Sequence, residues 1–240
     1  MRFFVSDIEN RMMINDKEFR LWNDSMAKRY NPDTYHKNAF FLIKIIEKLR
    51  INTILTLLNV NPNDKILELG CGAGNVMEAF DRGYIFGIDL SKDLLNIAKS
   101  KKYHARCHMI QSYGEMVPFK SETFDKIYCS EVLEHVKDPK AICYEAHRLL
   151  KENGFFVFSV PNERFINLMK TLMHLSCIDK MINLISRYKF AKDMTEEWHL
   201  HSFDLDYAKN IVRDVFLIEK IKFVPSLLFP VRIVVSCIKR

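Results

Sequence analysis

Glycine and proline are scarce, seven of each in 240 residues, which excludes collagen-like repeats and the biased composition of low-complexity chains. No stretch approaches the roughly twenty apolar residues that a membrane-spanning helix needs, and the most apolar segment, residues 223–238, is interrupted by Pro225, Pro230 and Arg232. The amino terminus, Met1-Arg2-Phe3-Phe4-Val5-Ser6-Asp7, turns polar too early for a secretory signal. The six cysteines, Cys71, Cys107, Cys129, Cys143, Cys177 and Cys237, are far apart and form no Cys-x-x-Cys pair, so neither a zinc knuckle nor a redox dithiol is indicated, and a reducing, cytoplasmic setting is expected. Blocks of like charge are missing too. Basic and acidic residues, 36 and 30, intermingle to a formal net charge of +6, which reads as a solvated surface rather than a nucleic-acid footprint.

What is present is ordinary globular composition, 48% hydrophobic and 28% charged, in a length that suits one α/β domain over residues 1–240. Apolar residues recur at helical spacing from Asn38 to Leu58, and Asn61-Pro62-Asn63-Asp64 stops them. Short apolar strands are expected at Lys65–Leu69, Tyr84–Ile88, Arg106–Ile110, Phe124–Ser130 and Phe155–Val160. Helices are expected between them: one from Asn75 to Asp81, one capped by Ser91 and reaching Lys101, and one opened by Asp138-Pro139 and followed by Gly154. Such alternation implies a mostly parallel sheet with helices on both faces and ligands at the carboxyl ends of the strands. Residues 1–60 then form an N-terminal helical segment, 61–161 a binding core, 162–203 a helical lid and loop, and 204–240 a last helix and hairpin.

The strongest chemical signal is Glu68-x-Gly70-x-Gly72-x-Gly74 at the first strand-to-helix turn, where glycines let backbone approach a ligand closely. A dinucleotide fingerprint requires a third glycine at position 75 or 77, and Asn75 and Met77 stand there. Glu68 would repel a pyrophosphate but can hold the ammonium of an amino-acid-like ligand. Asp89, ending the second strand, is placed to accept both hydroxyls of a ribose. A nucleoside with a cationic amino-acid tail satisfies both carboxylates. The plainer alternative is a tight turn and a helix-capping aspartate.

Residues 64–161 resemble the core of class I S-adenosylmethionine-dependent methyltransferases, especially the ubiquinone and menaquinone biosynthesis branch. The resemblance rests on the Glu68–Gly74 motif, Gly87-Ile88-Asp89-Leu90-Ser91, Pro118-Phe119 with Phe124-Asp125, Ser130-Glu131-Val132-Leu133-Glu134-His135-Val136 and Leu149 to Gly154. It implies a Rossmann-like seven-stranded sheet whose last two strands, about 217–224 and 231–238, form an antiparallel hairpin. It also implies S-adenosylmethionine as cofactor, held by Glu68, Gly70, Gly72, Gly74, Asp89, Leu90 and Ser130, with Tyr30 from a closing segment at 22–30. Family members carry an acidic adenine contact where Tyr113 stands here, which leaves Glu115, Ser112 or a backbone carbonyl for that task.

Glu131, Glu134, His135 and the later His201 are similar to the Glu-x-x-Glu-His arrangement of metal-using O-methyltransferases, which would place Mg2+ or another divalent cation on them. Without a metal, Glu134 and His135 order the loop and His135, His199 or His201 acts as base. Phe165, Leu168, Met169, Leu172, Met173, Leu175, Ile178, Met181, Ile182 and Ile185 fall on one helical face, either packed or forming a lid over an apolar acceptor. The leading expectation is O-methylation of a small phenol-, quinol- or lipid-like acceptor. Others are N- or C-methylation of a metabolite, RNA 2′-O-methylation, a silent cofactor-binding protein and, last, a nicotinamide-dependent oxidoreductase.

Overall fold

A computed structural model describes residues 15–30, 41–175 and 198–239. Its elements, in chain order, are α1 Asp16–Arg29, α2 Phe41–Leu58, β1 Lys65–Leu69, β2 Tyr84–Asp89, α3 Lys92–Ser100, β3 Arg106–Gln111, β4 Phe124–Ser130, α4 Pro139–Leu149, β5 Leu150–Pro161, α5 Glu163–Leu175, α6 Leu205–Val212, β6 Phe216–Pro225 and β7 Pro230–Lys239. The strands form one seven-stranded sheet in the order β3-β2-β1-β4-β5-β7-β6. The first five are mutually parallel, and β7 runs antiparallel to both β5 and β6. The doubly wound sheet and its closing hairpin are as the sequence indicates. Strand order reverses between β1 and β4, so the crevice at their carboxyl ends is where such a sheet binds ligands.

Side chains alternate across the sheet and build a core on each face. Ile127 and Cys129 of β4 join Ile142, Ala146 and Leu149 of α4 and Ile211 of α6 on one side. Tyr128, between them in sequence, joins Ile54 and Leu58 of α2 and Leu95 of α3 on the other. A third, smaller cluster puts Ala27 of α1 and Trp198 against Ala73 of the glycine turn. Local signals start the helices: Ser91 accepts from Leu94 N–H, and Asp138 caps α4 with Pro139 in first place.

Two expectations shift. The helix expected over 75–81 is only a 3-10 turn, Met77–Ala79. In that geometry residues three apart eclipse, which lets Met77 and Phe80 both enter the core. Gly154 does not follow the end of α4, because β5 begins at Leu150 and pairs with Phe124 before the register shifts. Gly154 lies inside this irregularity, where a Cβ would stand 2.8 Å from the Lys151 carbonyl oxygen. The apolar positions expected over 176–191 fall outside the described residues. Five of the cysteines, all but Cys177, are free thiols, and among the described residues no helix is long and apolar enough to cross a membrane.

The open end of α2 is closed by a buried lysine from the sheet. Lys126 Nζ donates to the Leu58 and Asn59 carbonyls and pairs with Asp64 at 3.0 Å. A cation there also opposes the negative end of the helix dipole. Replacing Lys126 with Met strands two carbonyls and a carboxylate, and urea denaturation is expected to show a loss of about 3 kcal/mol.

Candidate functional site

The site begins with two carboxylates at adjacent strand ends. Glu68, 2% exposed, accepts a hydrogen bond from the Tyr128 hydroxyl at 2.8 Å. Burial pushes its carboxyl up to about 8, against that hydrogen bond and with help from nearby Asp89. Asp89 accepts from Gly72 N–H at 2.7 Å and from Ser91 N–H at 2.8 Å. One side chain thus ties the glycine turn to the start of α3. Burial lifts it to about 6, opposed by these N–H donors.

The turn itself needs glycine for two separate reasons. Gly70, Gly72 and Gly74 all have φ between +50° and +74°, the left-handed region that side chains resist. A Cβ on Gly70 would also lie 2.4 Å from Val132 Cγ2 of the loop after β4. The turn and that loop therefore close on each other over the sheet.

A cavity of about 250 Å3 opens beside them, lined by Glu68, Gly72, Asp89, Glu134, His135 and His199, among others. Ser130 and Tyr30 also line it, with Tyr30 stacked on Trp198 at 6.1 Å. A smaller cavity of about 80 Å3 shares Gly70, Asp89 and His135 with the first and adds Leu90, Ser112 and Glu115. Burial raises the Glu115 carboxyl above its ordinary range. Tyr113, where the resemblance leads one to expect an acidic residue, donates its hydroxyl to the Asp16 carbonyl of α1 at 3.0 Å. Lys137 pairs with Asp16 and Lys28 with Asp93, so α1 is strapped across this end of the site.

Glu134, His135 and His199 come together, with potential ligand atoms within 4.8 Å of one another. Glu134 is 1% exposed and its Oε2 has no hydrogen-bond partner. Burial, then the charge of Glu131, raise its carboxyl well above the usual range. His135 is held neutral by burial and by His199, its ring lying 4.4 Å from Trp198 and its Nδ1 3.3 Å from the Trp198 carbonyl oxygen. The backbone fastens the two loops together, because the Glu134 carbonyl accepts from Leu200 N–H at 2.7 Å.

The structure does not bring Glu131 and His201 into that cluster. Glu131, at φ +56°, turns away to meet Arg232 at 2.6 Å and to accept from Ser159. Arg232 also approaches Glu47, which pairs with Arg50, whose guanidinium reaches back to Ser130 and Ser159. His201 spends Nε2 on the carbonyls of Val136 and Lys137 at 2.9 and 3.2 Å. His199 occupies the place beside His135, with Nδ1 2.6 Å from Glu163 Oε1. Glu163, Arg50, Glu47 and Arg232 carry no local sequence motif. Only the packing of α2 on the sheet, the place of β7 and the start of α5 bring them to this crevice.

Residues 67–158 match a family model described as a methyltransferase domain. Ubiquinone biosynthesis O-methyltransferase of Hydrogenovibrio crunogenus is 31% identical over 154 residues, covering 62% of this chain and 62% of that protein. The protein of the same name from Haemophilus ducreyi is 30% identical over 153 residues, covering 60% and 65%. The similarity thus spans under two thirds of either relative. A S-adenosylmethionine-dependent methyltransferase from Thermotoga maritima superposes with a TM-score of 0.63 at 17% identity, over 90% of this chain and 99% of that one, a likeness of fold. The chain is thus similar to methyltransferases over residues 67–158 in sequence and over most of its length in fold.

The raised Glu68 carboxyl gives the ligand-free protein a pH signature. A carboxyl whose folded value lies above its unfolded one stabilises the fold below the unfolded value, about 4.5, and loses that contribution as pH rises through about 8. Thermal unfolding is expected to show the wild type losing stability relative to Glu68→Gln between pH 5 and about 8. A difference in Tm that stays constant over this window would contradict it.

Proposed function

We propose that the chain uses S-adenosylmethionine to methylate a hydroxyl of a small phenol-, quinol- or lipid-like acceptor. The observation that carries the reading is the pair Glu68 and Asp89 around a left-handed glycine turn, with an acid-base cluster in the same cavity. On this reading Glu68 faces the amino-acid tail of the cofactor, Asp89 the ribose, and Leu90 and Glu115 the adenine. Gly70, Gly72 and Gly74 give room for backbone to lie against it. Residues 61–161 serve the cofactor and 162–203 the acceptor, under an N-terminal α1. The relatives' name, ubiquinone biosynthesis O-methyltransferase, supports an oxygen acceptor for this chain.

Methyl transfer from a sulfonium is an in-line displacement. An acceptor oxygen lone pair forms the new C–O bond, the C–S bond breaks, and its electrons neutralise the sulfonium sulfur. The hydroxyl proton passes to a neighbouring base. The protein supplies position, dryness and that base, for which His135, held neutral by burial, and the adjacent His199 are placed. No covalent protein intermediate is needed. Ile166 of α5 gives the cavity an apolar wall, which fits an apolar acceptor.

Glu134, His135 and His199 also fit a divalent cation, because an unpartnered buried carboxylate oxygen stands beside two imidazoles. These three would hold it, and a cation there would orient a vicinal diol and favour its ionised form.

Calorimetric titration with S-adenosylmethionine, with magnesium and with a chelator, tests the cofactor half of the reading. Asp89→Ala is expected to weaken binding by about 100-fold, the loss of charge-assisted bonds to a diol. For the acceptor half, catechol is the first probe, followed by formation of S-adenosylhomocysteine. His199→Asn and His135→Asn are expected to lower kcat by roughly 100-fold or more while cofactor affinity holds. Absence of cofactor binding by the wild type would sink the proposal.

A further inference from the structure

The bond between Glu163 and His199 is unlike the ion pairs that hold α1 over the site, and unlike the buried Glu47–Arg50 pair it involves an imidazole that lines the cavity. Lys28 with Asp93 and Lys137 with Asp16 lie at the surface, whereas Glu163 and His199 side chains are only 12% and 8% exposed and meet at 2.6 Å. Glu163 opens α5, and its backbone is fixed on two sides. Its N–H donates to the Phe203 carbonyl at 2.9 Å, and Asn162 before it donates to Val231 of β7 at 3.0 Å. Asn162 Oδ1 further accepts from Phe165 N–H. The carboxylate is therefore presented to the imidazole by rigid backbone from β5, β7 and the loop before α6.

A carboxylate oxygen can only accept, so the proton of this bond sits on Nδ1 of His199. An imidazole whose single N–H is on Nδ1 carries a bare lone pair on Nε2. No hydrogen bond from protein to that nitrogen exists among the described residues, and the ring lines the main cavity beside Glu134 and His135. His201 shows the opposite arrangement two residues on, its Nε2 being the donor to two carbonyls. Two histidines on one loop thus face opposite kinds of partner, one a carboxylate through Nδ1 and the other carbonyls through Nε2.

We propose that Glu163 is a positioning residue that locks His199 as the Nδ1–H tautomer and so points an unprotonated Nε2 at the reacting site. The assignment deepens the function proposed above, since it takes His199 as the group that faces the acceptor. It also links that group to α5, because the residue that orients the imidazole is the first of the helix whose Ile166 lines the same cavity.

Long-range 1H–15N correlation on protein labelled at histidine nitrogens reads the tautomer directly, with His199→Asn to assign the signals. The wild type is expected to show a protonated Nδ1 and a bare Nε2 at His199. Glu163→Leu removes the acceptor and should lose the Nδ1–H signature, whereas Glu163→Gln keeps an acceptor oxygen and should restore it. With catechol as acceptor, Glu163→Leu is expected to lower kcat 10- to 100-fold, the usual cost of removing such a support, while KM for S-adenosylmethionine stays within twofold. A wild-type His199 protonated on Nε2 overturns the proposal without any variant. So does a tautomer unchanged in Glu163→Leu, or one that changes while kcat does not. Failure of the wild type to bind S-adenosylmethionine would instead overturn the function, leaving the tautomer result standing.

Discussion

Everything in this site hangs on carboxylates brought out of water at the open ends of parallel strands. Asp89 is held by two backbone donors, one from the glycine turn and one from the start of α3, and those donors offset part of its desolvation. Glu68 has only one hydroxyl for company, and burial prevails, so the ligand-free protein keeps it protonated at neutral pH. A buried group that carries a removable proton at the floor of a cavity is poised for a cationic ligand. The ligand's charge would replace the proton, and the low local polarity that disfavours the bare carboxylate would strengthen the resulting pair.

The same logic separates the two glutamates after β4. Glu131 is matched by Arg232 inside a closed set with Glu47 and Arg50, so its charge is answered within the protein. Glu134, three residues on, has no such answer and an oxygen without a partner. Buried polar groups left unsatisfied are costly, and this one lies beside the imidazoles of His135 and His199. The matched ring anchors the loop, and the unmatched carboxyl with its histidines is where chemistry can happen.

Sequence made the glycine-turn end of the site legible because its signals are local. Glycines in left-handed turns, an aspartate at a strand end and Ser91 as a helix cap each act within a few residues. The short turn at Met77–Ala79 was less legible, since helical spacing over so few residues does not distinguish two kinds of helix. The histidine end is set by contacts distant in sequence. His199 and His201 are equivalent by spacing from Glu134, and only the folded loop decides between them, by turning one ring to Glu163 and the other to backbone carbonyls. Glu163 could not be chosen in advance, because its partner lies 36 residues away across α5 and the segment after it.

If Glu68 faces the cationic tail of S-adenosylmethionine as proposed, its proton gives way when that ligand binds. Calorimetric titration at neutral pH in two buffers of different ionisation enthalpy measures the protons exchanged on binding. The expected result is net proton release for the wild type that disappears in Glu68→Gln. Tight binding with no proton released, or the same release in both proteins, would contradict the role given to Glu68 and with it the electrostatic basis of the site.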